Sequence, residues 1–309
     1  MSEKLSPAKS VVVVGAMNLD VIATAGQSVK TDDSTPGQVG FYAGGVARNI
    51  AEGLTRLAVS TSLHSVVGDD FAGAQLLALC QSAGMCCRHI KSVTAAATPV
   101  YVSMNNDNGD LLHAVSDMSL IESWNLQQQT IDAIEHAAYC VIDANLPQVM
   151  ISDIAAVSTR TKLVAEAVSA SKCKRLGAVL PSLYMLRANL TEATVLAGLD
   201  KHISANETGR RLLELGPRKV LLSQGESGAL LFENGAHGVT VQRAPAEQTN
   251  VVSVNGAGDA LTAGFLAAII HGEDSATALQ WGVTAARLSL ECFGACADAL
   301  NESRLRQTI

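Results

Sequence analysis

Short apolar runs rich in β-branched residues recur along the chain with helically spaced segments between them, and no other feature narrows its fold so far. They are Val11–Gly15, Ser60–Val66, Tyr139–Ile142, Lys162–Glu166, Tyr184–Ala188, Lys219–Ser223 and Val251–Val254. This alternation predicts an α/β protein with a mostly parallel central sheet flanked by helices. Val46, Ile50, Leu54 and Leu57 fall at helical intervals, and Phe71, Leu76 and Leu79 with Gly84 behind them predict a second helix and its stop. Two stretches break the rhythm, Val21–Tyr42 and Pro99–Ala114, the latter with a turn at Asn105–Gly109 between two strands. They predict a small β-sheet lid formed by about 21–42 and 97–116. No repeat or long linker interrupts the chain, so residues 1–309 are expected to form one domain.

Charge narrows the partners. Lys and Arg number 22 against 29 Asp and Glu, a formal charge of -7, which gives no broad footprint for nucleic acid or an anionic membrane. A small soluble substrate is the better expectation. No segment approaches the ~20 apolar residues that cross a bilayer, and Ala263–Ile270 reads as a buried helix. Met1–Ser10 is polar and mixed in charge, which predicts no secretory signal and a cytoplasmic protein. The seven cysteines include no C-x-x-C pair and read as reduced core thiols. Cys292 and Cys296 are expected on one helix face, without the further ligands a zinc site needs.

The most informative chemistry lies in Val251–Ile270, an apolar run, the turn Asn255-Gly256-Ala257-Gly258-Asp259, then a long apolar helix. Free N–H groups at a helix start converge on one point and carry the positive end of its dipole, and glycines let an anion approach the backbone closely. Such a turn suits charge developing on a transferring phosphoryl group. A carboxylate beside it would repel a phosphate unless a proton-bearing group lay between them, and a substrate hydroxyl fits that place. Asp259 is therefore the candidate base, since an aspartate can take the proton late in a loose transition state without a raised pKa. The competing reading is a helix cap. There is no G-x-x-x-x-G-K-[ST], and Leu261 breaks G-x-G-x-x-G.

Asn255–Asp259 together with Ala43-Gly44-Gly45-Val46-Ala47-Arg48-Asn49-Ile50-Ala51 resembles the two signatures of the ribokinase, or pfkB, family of small-molecule kinases, with Gly68–Gly73 resembling its G-x-D-x-x-G. The resemblance implies a ribokinase-like three-layer fold and an ATP-dependent kinase acting on a primary hydroxyl of a nucleoside or sugar. It implies an anion hole at Gly256, Ala257 and Gly258, with Asp259 as base. The acceptor is carried over to Asn18, Asp20, Gly44, Gly45 and Asn49, a set of acceptors and amides suited to a polyol. Asn189-Leu-Thr-Glu192 resembles the family's N-x-x-E, which implies Mg²⁺ held by Glu192 and Asn189, mostly through water; alone, the pair reads as a capping box. Ser223, Gly225 and Gly228 resemble its T-x-G-x-x-G nucleotide segment, and a helix around Ala285–Cys292 is expected on the adenine side.

Within the family the chain is most similar to pseudouridine kinases, through Gly44–Asn49, Ser116-Asp117-Met118 and Ala167–Lys172. That likeness places Tyr101 and Asp117 at the acceptor and Lys172 near phosphate oxygens. Ribose, fructose or adenosine kinase activity is the alternative, and a nucleotide-binding regulatory protein without catalysis is the alternative of another class. Departures bear on the ions. Ser253 stands where relatives carry an aspartate that helps bind a monovalent cation, which leaves only hydroxyl and carbonyl oxygens for K⁺. Asn255 replaces a frequent threonine, Ala188 a proline, and Glu166 an aspartate, with a longer reach toward a metal. The lid also offers a homodimerisation surface, because exposed β-edges invite pairing, and the sequence leaves the oligomeric state open.

Overall fold

Val11–Val14 is buried at every residue, as a strand covered on both faces must be. In the computed structural model, which describes residues 9–29, 32–108, 110–235 and 238–307, it is the strand β1 (Val11–Val14) of a nine-stranded sheet. The first part of the chain continues with β2 (Asn18–Ala25), β3 (Gly37–Gly44), α1 (Val46–Arg56), β4 (Thr61–Gly68), α2 (Phe71–Ser82), β5 (Ile90–Val93), β6 (Val100–Asn105) and β7 (Leu111–Asp117). Next come α3 (Ser119–Glu122), α4 (Gln128–His136), β8 (Tyr139–Asp143), α5 (Gln148–Val157), β9 (Lys162–Glu166), β10 (Leu183–Asn189), α6 (Leu190–Ala197) and α7 (Ala205–Glu214). The chain finishes with β11 (Lys219–Ser223), β12 (Ala229–Gly235), β13 (Gly238–Ala244), α8 (Ala257–His271), α9 (Ser275–Leu290) and α10 (Glu302–Arg306).

The large sheet runs β13-β12-β11-β10-β9-β8-β1-β4-β5, parallel from β11 to β5 with an antiparallel hairpin, β12 and β13, at one edge. Because side chains alternate along a strand, β1 feeds both cores. Val11 and Val13 join α1, α2, α8 and α9 on one face, while Val12 and Val14 join α3 to α7 on the other. That gives three layers. Helix starts follow local chemistry: the Asp70 side chain accepts the Gly73 N–H at 2.8 Å and that of Thr98 at 2.9 Å, and Asn189 with Glu192 forms the capping box of α6.

A separate four-stranded sheet, β3-β2-β6-β7, stands where the lid is expected. Its register divides its two faces. Phe41, Val21, Val102 and Val115 form one row across all four strands, and Tyr42, Asp20, Tyr101 and Ser116 form the next row on the opposite face. The turn between β6 and β7 is present at Asp107 and Asn108; Gly109 lies outside the described residues.

Two expectations need correction. Val251–Val254 is not a strand: Val251 and Val254 are exposed, and the N–H groups of Val252 and Ser253 bond to the Leu290 carbonyl at the end of α9. β-branched residues favour extension, but without a free sheet edge beside them they pair with nothing. Cys292 and Cys296 do not share a helix face, because α9 ends at Leu290. The cysteines are free thiols, with Cys80, Cys140 and Cys173 buried but Cys86 exposed.

Candidate active site

The parallel strands β8, β9, β10 and β11 end on Asp143, Glu166, Asn189 and Ser223, so their C-terminal ends bring polar groups to one rim of the sheet. This is the rim where ligands of open α/β sheets bind. Asp143 is fully buried and accepts the N–H groups of Ala16 at 2.9 Å and Ala47 at 3.0 Å, tying the end of β1 to the start of α1.

From that joint the acceptor residues fan out. Asn18 is buried and donates from Nδ2 to Asp20 Oδ1 at 2.5 Å, and burial pushes the Asp20 carboxyl up to about 6 against the lowering effects of Asn18 and Arg48. A Cβ on Gly44 would lie 2.3 Å from Asp20 Oδ2, so glycine there is a condition of the carboxylate's position. Gly45 precedes α1 at φ 98, a conformation that suits glycine. Asn49 lies in the first turn of α1, buried, with Oδ1 accepting from Arg48 Nη1 at 2.7 Å and Nδ2 donating to Asp259 Oδ2 at 2.7 Å. Arg48 is fixed in turn by the Ala43 carbonyl at 2.9 Å and by an ion pair with Glu52.

Asp259 sits in the first turn of α8, behind Gly256 at φ 78. It is 8% exposed, not a solvated cap. Burial raises its pKa to about 6, although Asn49 and Arg187 pull it down. The base role needs no such shift; burial of the carboxylate supplies one.

Beyond the turn is a cavity of about 350 Å³ lined by Asn189, Ser223, Gly225, Gly228, Ala257 and Gly258, with Leu261, Val283, Ala286 and Leu290 forming an apolar wall. The expected nucleotide residues thus converge with the anion turn, and α9 supplies the wall expected of a late helix. Glu192 is buried, and both its oxygens accept from Asn189, from N and Nδ2, each at 2.8 Å. Glu166 accepts from Thr262 Oγ1, and burial pushes its carboxyl up to about 8 despite Arg187.

Lys172 does not join this cavity. Its Nζ donates to Asn145 Oδ1 at 2.7 Å, and it lines a different hollow with Ser116 and Asp117. Tyr101 shares a face with Asp20, but Asp117 belongs to the other face of the small sheet and accepts from Ser119 N at 3.0 Å. Three residues escaped the sequence reading: Arg187, Asp143, and Arg48 as more than part of a motif. The available signal was position, since Asp143 and Arg187 lie at or near strand ends that open on the rim.

Residues 8–302 match the family model described as pfkB family carbohydrate kinase. The chain belongs to that family. It is a phosphotransferase with an alcohol acceptor. It is 29% identical to the pseudouridine kinase of Escherichia coli K12 over 288 residues, 91% of this chain and 90% of that one. It is 23% identical to the ribokinase of Bacillus subtilis, over 93% of this chain and 94% of the relative. The structure of Arabidopsis thaliana ribokinase complexed with ribose and ATP superposes with a TM-score of 0.84 at 20% identity, covering 97% of this chain and 98% of that chain. The fold is therefore ribokinase-like. Among the described residues no helix is long and apolar enough to cross a membrane.

Proposed function

We propose that this family member is an ATP-dependent, Mg²⁺-requiring kinase that phosphorylates the primary 5′-hydroxyl of a nucleoside, with pseudouridine as its acceptor. The observation that carries the reading is the 2.7 Å hydrogen bond from Asn49 Nδ2 to Asp259 Oδ2, which joins the acceptor helix α1 to the anion turn. Asn18, Asp20 and Asn49 hold the sugar hydroxyls, with Gly44 and Gly45 allowing close approach and Tyr101 on the same sheet face as Asp20. Asp259 takes the hydroxyl proton, and a pKa near 6 leaves it ionised at neutral pH yet basic enough to accept. The N–H groups of Gly256, Ala257 and Gly258 stabilise charge on the transferring group. Ser223, Gly225 and Gly228 take the phosphates of ATP, and the apolar wall from α8 and α9 takes the base.

The oxygen donors Glu192 and Asn189 suit Mg²⁺, which accepts few protein carboxylates and keeps several waters. Among the described residues no group of three or more His, Cys, Asp or Glu side chains forms a cage. Such an ion would be held mainly by nucleotide oxygens, where it would neutralise phosphate charge. Lys172 is left out of the nucleotide side, and Asp117 stands at the edge of the acceptor side rather than in it. The small sheet acts as the lid, its Asp20 and Tyr101 face inward to exclude water. Its outward row carries Phe41, Val102 and Val115, all exposed, an apolar surface suited to a second copy of the chain.

A panel of acceptors with a coupled ADP assay tests this reading. Pseudouridine should give the highest kcat/KM among pseudouridine, uridine, adenosine, ribose and fructose. A strong preference for ribose would overturn the acceptor assignment, and ATP binding with no ADP formed from any acceptor would overturn the kinase reading.

A further inference from the structure

We propose that Arg187 is a catalytic residue that binds the transferring γ-phosphoryl group directly. The proposal rests on the kinase reading above and adds a residue to it. A Cβ built on Gly258 would lie 2.2 Å from Arg187 Nη2 and 2.5 Å from Cζ, so the guanidinium lies against the backbone of the anion turn at Gly258. Glycine at this position is what lets it approach.

The side chain is positioned but not consumed. Arg187 lies near the end of β10, and its Nη2 donates to Ser223 Oγ at 3.1 Å and its Nη1 to Glu166 Oε2 at 3.3 Å. Those two bonds leave one N–H on each of Nη1 and Nη2 without a partner among the described residues, while Nε is buried and unpartnered. The other arginine lining the same cavity, Arg287, is held by Glu247 at 2.8 Å and Glu291 at 2.5 Å. Arg187 is paired with a single carboxylate, Glu166, where Arg287 is paired with two, and it stands in the corner between the nucleotide residues Asn189 and Ser223 and the anion turn.

A planar guanidinium there fits two oxygens of a phosphoryl group. In the reaction the acceptor oxygen forms a bond to the γ-phosphorus and its proton passes to Asp259. The bond from the γ-phosphorus to the bridging oxygen breaks, and its electron pair leaves on ADP. Charge on the equatorial oxygens grows or moves during that exchange, and the Arg187 guanidinium meets it.

Calorimetric binding of ADP and of AMP-PNP, alongside steady-state kinetics, tests this in the full chain with Arg187→Met. The double variant Arg187→Met/Glu166→Gln removes the stranded carboxylate if the single variant unfolds. Affinity for AMP-PNP should fall about tenfold while affinity for ADP changes less than twofold, and kcat should fall about 10²-fold or more, the scale of losing a transition-state donor. Equal weakening of both nucleotides, or kcat within threefold of the parent, would overturn the assignment. If the parent protein phosphorylates no acceptor, the kinase reading fails while the AMP-PNP against ADP comparison still decides whether Arg187 reads the γ-phosphate.

Discussion

Gly258→Ala separates catalysis from stability within one methyl group. The new Cβ would stand 2.2 Å from Arg187 Nη2, 2.5 Å from Cζ and 2.6 Å from Nη1. Reaching ordinary contact requires the guanidinium to retreat by about 1 Å. It is the far end of a long side chain, so it moves and the backbone stays. The retreat stretches the bonds to Ser223 and Glu166, worth about 1 kcal/mol each. Alanine in place of glycine inside α8 returns up to about 1 kcal/mol of helix stability. The net change in folding is therefore about 1 kcal/mol, a few degrees in Tm for a chain of this size. Catalysis has no such offset, because a charged group displaced by about 1 Å costs about 10²-fold in rate. Thermal unfolding and kcat with saturating ATP and acceptor measure the two effects. In an Arg187→Met background the same substitution should be nearly silent in kcat, since nothing remains to displace. Independent, multiplying losses in the double variant would refute the reasoning, and so would a Gly258→Ala enzyme with unchanged kcat.

Other outcomes follow from the same geometry. Asp259→Asn should abolish turnover while preserving ATP binding in calorimetry; near-normal phosphorylation would remove the base. Because Asp259 must be ionised to accept a proton and its pKa is about 6, kcat/KM should fall tenfold per unit below that value. A flat profile between pH 7 and about 5 would contradict its burial. The raised pKa means that the folded state holds a proton more tightly than the unfolded chain. The group's contribution to stability is therefore lost as pH rises from the ordinary aspartate value of 3.8 to about 6. Asp259→Asn should accordingly be the more stable protein at pH 8, by up to about 3 kcal/mol, with the difference gone below pH 4, as read by denaturant titration. If the exposed apolar row of the small sheet pairs two copies, Val115→Asp should lower the sedimenting mass to that of one chain with kcat per chain close to the parent's; an unchanged mass would overturn pairing through this row.

How far the sequence could be read depended on the range of the contacts involved. Strands of the parallel sheet showed as apolar runs because both faces are covered, as at Val11–Val14. Helix α2 showed through the spacing of Phe71, Leu76 and Leu79 and through Gly84, at φ 77, behind its end; its Asp70 cap did not. Val251–Val254 misled because strand propensity records a preference for a pleated surface and says nothing about whether an edge is vacant beside it. Asn189 and Glu192 illustrate a different limit: the capping box is present, and the same carboxylate stands at the rim where a metal would bind, so one local pattern serves two readings that spacing cannot separate.

The site itself is built from contacts that no window along the chain contains. Asn49 reaches Asp259 across 210 positions, and Thr262 reaches Glu166 across 96. Glycine at position 258 reads in the sequence as freedom for a tight turn, yet in the fold it is the floor on which Arg187 rests, 71 positions earlier in the chain. The arginine gave no local sign because its role comes from the strand order. β10 and β11 are neighbours in parallel register, with Arg187 opposite Leu221 and Asn189 opposite Ser223, so the Arg187 backbone lies one step below the rim. From there its length carries it up beside the turn. A lysine could supply the charge but not the fork that bonds Ser223 and Glu166 while keeping donors free. Arg187→Lys should therefore keep more AMP-PNP affinity than Arg187→Met while recovering only part of kcat, a division that a merely structural cation would not produce.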